Sequence, residues 1–190
     1  MDLPPTPPRV IRSPLEDERR WAIARRLVAD GTIPTDDRVA AALVVLYGQP
    51  LTRIVSLSLT TADIQRSGDG TAVVVLDGTP MPLHEPFSSL IGQLPVRRSD
   101  GVSDQLDSRW LFPGRHAGRP INARNLANRM RAIGIEPQGM RNTARAQLAA
   151  SIPAAILAEI LGISPSTATR WTAIANGNWP AYVAGRAGLP

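Results

Sequence analysis

The apolar and polar positions divide the chain into a helical stretch, a short stretch of alternating residues and a second helical stretch. Ser13, Pro14 and Glu16 stand as N-cap, first helical position and capping-box acid. Trp21, Ile23, Ala24, Leu27 and Val28 then recur at helical spacing as far as Gly31. A second helix is expected from Thr35, with Asp36 and Asp37 near its positive end and Val39, Leu43, Leu46 and Tyr47 on its apolar side, running to Gly48. Pro50 to Leu57 reads as a short helical stretch that seats Arg53 among aliphatic neighbours. A guanidinium there needs an anion, an ion pair or a route to solvent.

From Ala62 the period falls to two. Asp63 to Gln65, Thr71 to Leu76 and Met81 to Leu83 are β-type runs, parted by the turn-formers Gly68-Asp69-Gly70 and Asp77-Gly78-Thr79-Pro80, which predicts a small antiparallel meander. Glu85 to Leu94 is a further candidate helix, and Pro95 to Ser108 is a polar loop. Trp110 to Gly114 forms an apolar anchor ending in a turn. The next helix, Asn122 to Ile133, puts Leu126, Met130 and Ile133 on its buried side and Arg124 and Arg131 together on another. Pro153 to Trp171 reads as two helices around a turn at Gly162-Ile163-Ser164, with Ser166, Thr167 and Arg170 exposed on the second.

These elements predict one α+β domain, mainly α-helical, over residues 14–177. A proline-rich linker or tail (1–13) precedes it and a docking tail (178–190) follows. The length of 190 residues and the 43% of apolar residues suit a single core. The chain has no apolar run near the ~20 residues of a membrane span and no secretory leader, so a cytoplasmic protein with no membrane partner is expected. Cysteine is absent, and His84 and His116 are the only histidines, so neither a metal nor a cofactor is expected.

Charge changes the picture more. All 21 basic residues are arginine, a usage that GC-rich coding explains, and no lysine is available for chemistry. Residues 1–108 carry 11 arginines against 14 acids, a net −3, whereas residues 109–190 carry 10 arginines against Glu136 and Glu159 alone, a net +8. Such a basic C-terminal part suits a polyanion, and double-stranded DNA is the expected partner. Arg115, Arg119, Arg124, Arg131 and Arg145 are candidate DNA contacts, with Ser166, Thr167 and Arg170 at the turn.

The order of the motifs resembles the catalytic domain of tyrosine recombinases, the phage-integrase family, over about residues 14–175. Arg53 in LTRIVSLSL falls where the family's first catalytic arginine follows a long helix and precedes the meander. Trp110 to Gly114 looks like its Leu-Phe-Pro anchor. Gln138-Gly139-Met140-Arg141-Asn142-Thr143 is similar to His-x-Leu-Arg-His-Thr, which makes Arg141 the second arginine. Leu161-Gly162-Ile163 looks like Leu-Gly-His, followed by Ser166, Thr167 and Thr169 in place of the family's Ser/Thr-rich run. The resemblance implies a phosphate clamp of Arg53 and Arg141.

It also exposes departures. The meander lacks the family's lysine, Gln138 and Ile163 stand where histidines are expected, and the nucleophile position falls on Thr172, or on Trp171 with a shift of one. The expected function is therefore DNA binding without cleavage, as a repressor or accessory recombination factor, with self-association or contact to an active recombinase through the C-terminal tail. Three other readings stay open: an active recombinase with Tyr182 as a displaced nucleophile, a helix-turn-helix regulator reading DNA through residues 164–171, and a protein-interaction domain that docks onto a neighbour through Pro180 to Pro190.

Overall fold

The computed structural model describes residues 14–58, 64–66, 71–76, 78–94, 110–114, 116 and 118–175. Helices α1 (Pro14–Ala29), α2 (Thr35–Val45) and the single turn α3 (Leu51–Ile54) come first. The strands β1 (Ile64–Arg66), β2 (Ala72–Leu76) and β3 (Thr79–Leu83) follow. The rest is helical: α4 (Phe87–Gly92), α5 (Ala123–Ala132), α6 (Pro137–Ser151), α7 (Ala154–Leu161) and α8 (Pro165–Ala175). No described helix is long and apolar enough to cross a membrane. The polar loop expected over residues 95–108 and the Gly68-Asp69-Gly70 turn lie outside the described residues.

The three strands form an antiparallel meander in the order β1-β2-β3, with Ile64 opposite Val74 and Val74 opposite Met81. Alternation decides its faces, since Ala72, Val74 and Leu76 are buried while Val73 and Val75 are half exposed. On β3 the prolines at 80 and 82 are exposed and occupy alternate positions. Their missing N–H groups fall on the free side of the edge strand, which leaves the pairing with β2 intact and blunts the edge.

The main core packs α2 against α1, α4 and the sheet. Ala40, Ala41, Leu43, Val44 and Val45 are buried so completely that α2 is a central helix. α2 ends at Val45, just before the Gly48 expected, because the chain leaves through a turn in which Gly48 takes φ +60° and the Gln49 N–H returns to Leu43 O at 3.1 Å. Phe112, wholly buried, anchors the segment after the described gap, and the Leu111 N–H donates to Leu57 O at 2.9 Å. A second, smaller core of Ala149, Leu157, Ala158, Leu161 and Ala168 holds α7 and α8 against the end of α6.

Two parts of the sequence reading shift. Ile133 ends α5 half-buried as its C-cap, outside the fully buried set of Leu126 and Met130. Arg129 of α5 turns inward onto Asp36 (2.7 Å) and Asp37 (2.8 Å) at the start of α2 and lies over the Phe112 ring at 5.2 Å. Burial pushes the Asp37 carboxyl above its ordinary value despite this partner. Arg129→Ala should therefore strand a buried carboxylate and cost roughly 2 to 4 kcal/mol, less than for a fully buried pair because Arg129 is a third exposed. Thermal unfolding checks this, and a variant melting with the unaltered protein would show the ion pair to be energetically idle.

Candidate nucleic-acid interface

The two cores are tied together by polar groups at one point. Gln49, fully buried in the turn after α2, donates through Nε2 to Ile160 O at 3.0 Å and accepts at Oε1 from Arg53 Nη1 at 2.9 Å. Arg53 in turn donates through Nη1 to Leu161 O at 3.1 Å and through Nη2 to Leu76 O. One guanidinium thus reaches α3, the end of β2 and the C-terminal end of α7. The carbonyls at the end of α7 carry the negative pole of that helix and suit a cation.

Glycine makes the approach possible. Gly162 caps α7 at φ +59°, and the Ile163 N–H returns to Ala158 O at 3.0 Å in the closing turn of a Schellman motif. A Cβ at Gly162 would stand 2.8 Å from Arg53 Nη1. Ile163, beside it, packs half-buried against the second core.

Arg141 and Arg145 come from α6, one turn apart and on the same face. Arg141 is half-buried, and its Nε is buried without a hydrogen-bond partner among the described residues. Burial lowers its affinity for a proton below that of a free guanidinium. Arg145 Nε donates to Gly48 O at 3.0 Å. Burial, then the neighbouring charges of Arg141 and Arg53, hold Arg145 down to about 10. The Gly48-Gln49 turn joins the three, since Gly48 accepts from Arg145, Gln49 accepts from Arg53, and Arg141 lies one turn from Arg145. Neither Arg141 nor Arg145 forms an ion pair with an acid among the described residues.

The remaining sequence candidates scatter. Gln138 is exposed in the first turn of α6, on the face of Arg141. Thr172 is half-buried on α8 with its hydroxyl donating to Thr169 O at 2.9 Å, and Trp171 packs on the second core. At the start of α8, Ser164 acts as a cap: its Oγ accepts from the Thr167 N–H at 3.3 Å and lies 2.8 Å from the Thr167 hydroxyl and 3.1 Å from that of Ser166. Arg170 is exposed, as are Arg119 and Arg124. Arg131 is paired with Glu136 at 2.9 Å, which takes one cation out of the basic surface expected on α5. Arg115 and Tyr182 lie outside the described residues.

Sequence reasoning missed Gln49, one of whose partners, the Ile160 carbonyl, is 111 residues away. The Gly48-Gln49-Pro50 turn was the available signal. Arg145, a candidate DNA contact by sequence, stands one turn from Arg141, as its spacing implies.

No protein-family profile and no curated protein matches the sequence. The fold is that of the tyrosine recombinases. The crystal structure of XerA recombinase superposes with a TM-score of 0.57 over 95% of this chain and 66% of that one, at 15% identity. XerH site-specific recombinase bound to difH substrate, in a pre-cleavage complex, gives 0.58 over 84% of this chain and 49% of that one, at 14% identity. Its post-cleavage complex with palindromic difH gives 0.60 over 90% and 52%, at 13% identity. The chain therefore spans about half to two thirds of the length of these structures, and the likeness is one of fold.

The two arginines of the expected clamp should separate in stability. Arg53→Ala leaves three carbonyl oxygens without their donor and should cost roughly 2 to 4 kcal/mol, while Arg141→Ala should stay within about 0.5 kcal/mol of the unaltered protein. Gly162→Ala should cost about 1 to 3 kcal/mol, through its positive φ and the clash with Arg53. Denaturant titration of the three variants measures this; equal losses for Arg53→Ala and Arg141→Ala would contradict the assigned contacts.

Proposed function

We propose that this chain is a double-stranded-DNA-binding domain of the tyrosine-recombinase fold that grips backbone phosphate without cutting it. The carrying observation is the gathering of Arg53 from α3 with Arg141 and Arg145 from α6 at the Gly48-Gln49 turn, with Arg141 and Arg145 left without a described carboxylate. Cations held at a half-buried site without counter-charge suit an external anion, and a phosphodiester is the anion that a basic C-terminal half attracts. The XerH structures of this fold are bound to difH substrate, which supports a polynucleotide as the occupant here.

The environment of the departed positions supports binding over cleavage. Covalent phosphoryl transfer needs a nucleophile and an acid or base to assist it. Thr172 commits its hydroxyl to a backbone carbonyl, Ile163 offers packing in place of a proton donor, and the chain has no lysine. Arg119, Arg124 and Arg170, all exposed, would extend the contact along the duplex, and a role as repressor or accessory recombination factor fits such a module.

Binding should weaken steeply with salt, with log K falling about 0.9 per phosphate neutralised, and Arg141→Ala should lose at least tenfold in affinity at unchanged stability. A flat salt response would sink the proposal. A nicked suicide duplex tests the other half: no covalent adduct is expected, and an adduct abolished by Tyr182→Phe would make the protein an active recombinase instead.

A further inference from the structure

Arg145 has a place in this site that a solvated surface cation does not need. Its stem is fixed by the Nε bond to Gly48 O, and Gly48, at φ +60°, leaves room for it: a Cβ there would stand 2.8 Å from Arg145 Cγ. Its two terminal nitrogens have no hydrogen bond among the described residues and are not sealed from solvent. Like charges one turn apart disfavour a helix, and here both arginines are partly withdrawn from water. A guanidinium keeps its proton at any pH the protein meets, so the repulsion persists until an anion arrives.

We infer that Arg145 is a third ligand of the phosphate that Arg53 and Arg141 hold, its free Nη groups closing the side of the anion that faces the α2–α3 turn. This rests on the phosphate-clamp reading above and adds a ligand to it. Three planar forks from α3 and two turns of α6 surround the oxygens of one tetrahedral group better than two can. The empty site repels itself, so a bound oxyanion stabilises the fold beyond any general effect of salt.

The test uses the full chain with Arg145→Gln and Arg141→Gln, a short mixed-sequence duplex titrated at several NaCl concentrations, and inorganic phosphate as the simplest probe. Arg145→Gln is expected to lower duplex affinity at least tenfold while leaving the salt slope nearly unchanged, because Arg53 and Arg141 still neutralise the same phosphate. In the unaltered protein, inorganic phosphate should shift the NMR signals of Arg145 Nε and Arg141 Nε with one shared dissociation constant. This arm decides the matter even where Arg145→Gln fails to fold. Arg145→Gln that binds like the unaltered chain while Arg141→Gln does not, or an Arg145 signal that stays still while that of Arg141 moves, overturns the third ligand and leaves the clamp standing. Failure of the unaltered chain to bind duplex at all removes the clamp and this inference with it.

Discussion

The structure depends on a polar junction inside an otherwise apolar interface, where Gln49 and Arg53 bind the last carbonyls of α7. Without them, the small core of α6, α7 and α8 would meet the main core through the packing of α6 and the contact of α7 with β3. The carbonyls of Ile160 and Leu161 would also end a helix facing protein with no donor. Amide and guanidinium work together: the amide bonds the guanidinium and a carbonyl, and the two Nη groups of the guanidinium bond the amide and two carbonyls.

The same physics recurs around the molecule. Arg38 donates to Leu27 O and Val28 O at the end of α1, Arg20 to Val45 O at the end of α2, and Arg26 to Ile133 O beyond α5. Helix C-termini concentrate unsatisfied carbonyls and negative potential, and a five-donor side chain answers both. An arginine-only protein can therefore spend many of its cations internally. Arg129 and Arg131 are spent on carboxylates in the same way. Against this background Arg141 stands apart as a half-buried cation with no carboxylate partner among the described residues.

That separation bears on what the domain does. A phosphate site built from side chains that other contacts already orient binds with little reorganisation, which serves recognition as well as catalysis. Catalysis would further need a proton donor and a nucleophile beside the arginines. Ile163 and Thr172, the positions that the sequence resemblance aligns with those roles, are committed to packing and to a backbone carbonyl.

Much of the fold was legible along the chain, because helical periodicity, capping residues and turn-formers are local. α1, α2, the meander and the pair α7–α8 lie close to where apolar spacing put them, and Asn122 caps α5 by accepting from the Asn125 N–H at 2.8 Å. The sequence by itself also determined that chemistry here rests on arginine, since no lysine and no cysteine is present. Which arginines face an anion was a different matter. Arg129 and Arg141 look alike in sequence, each in a basic helix, and only the packing of α5 onto the acidic start of α2 consumes one and leaves the other. Arg53 needed α7 and β2 brought to it across 108 and 23 residues before its role could be seen. Charge type is written locally, whereas charge pairing depends on distances that only the folded chain sets.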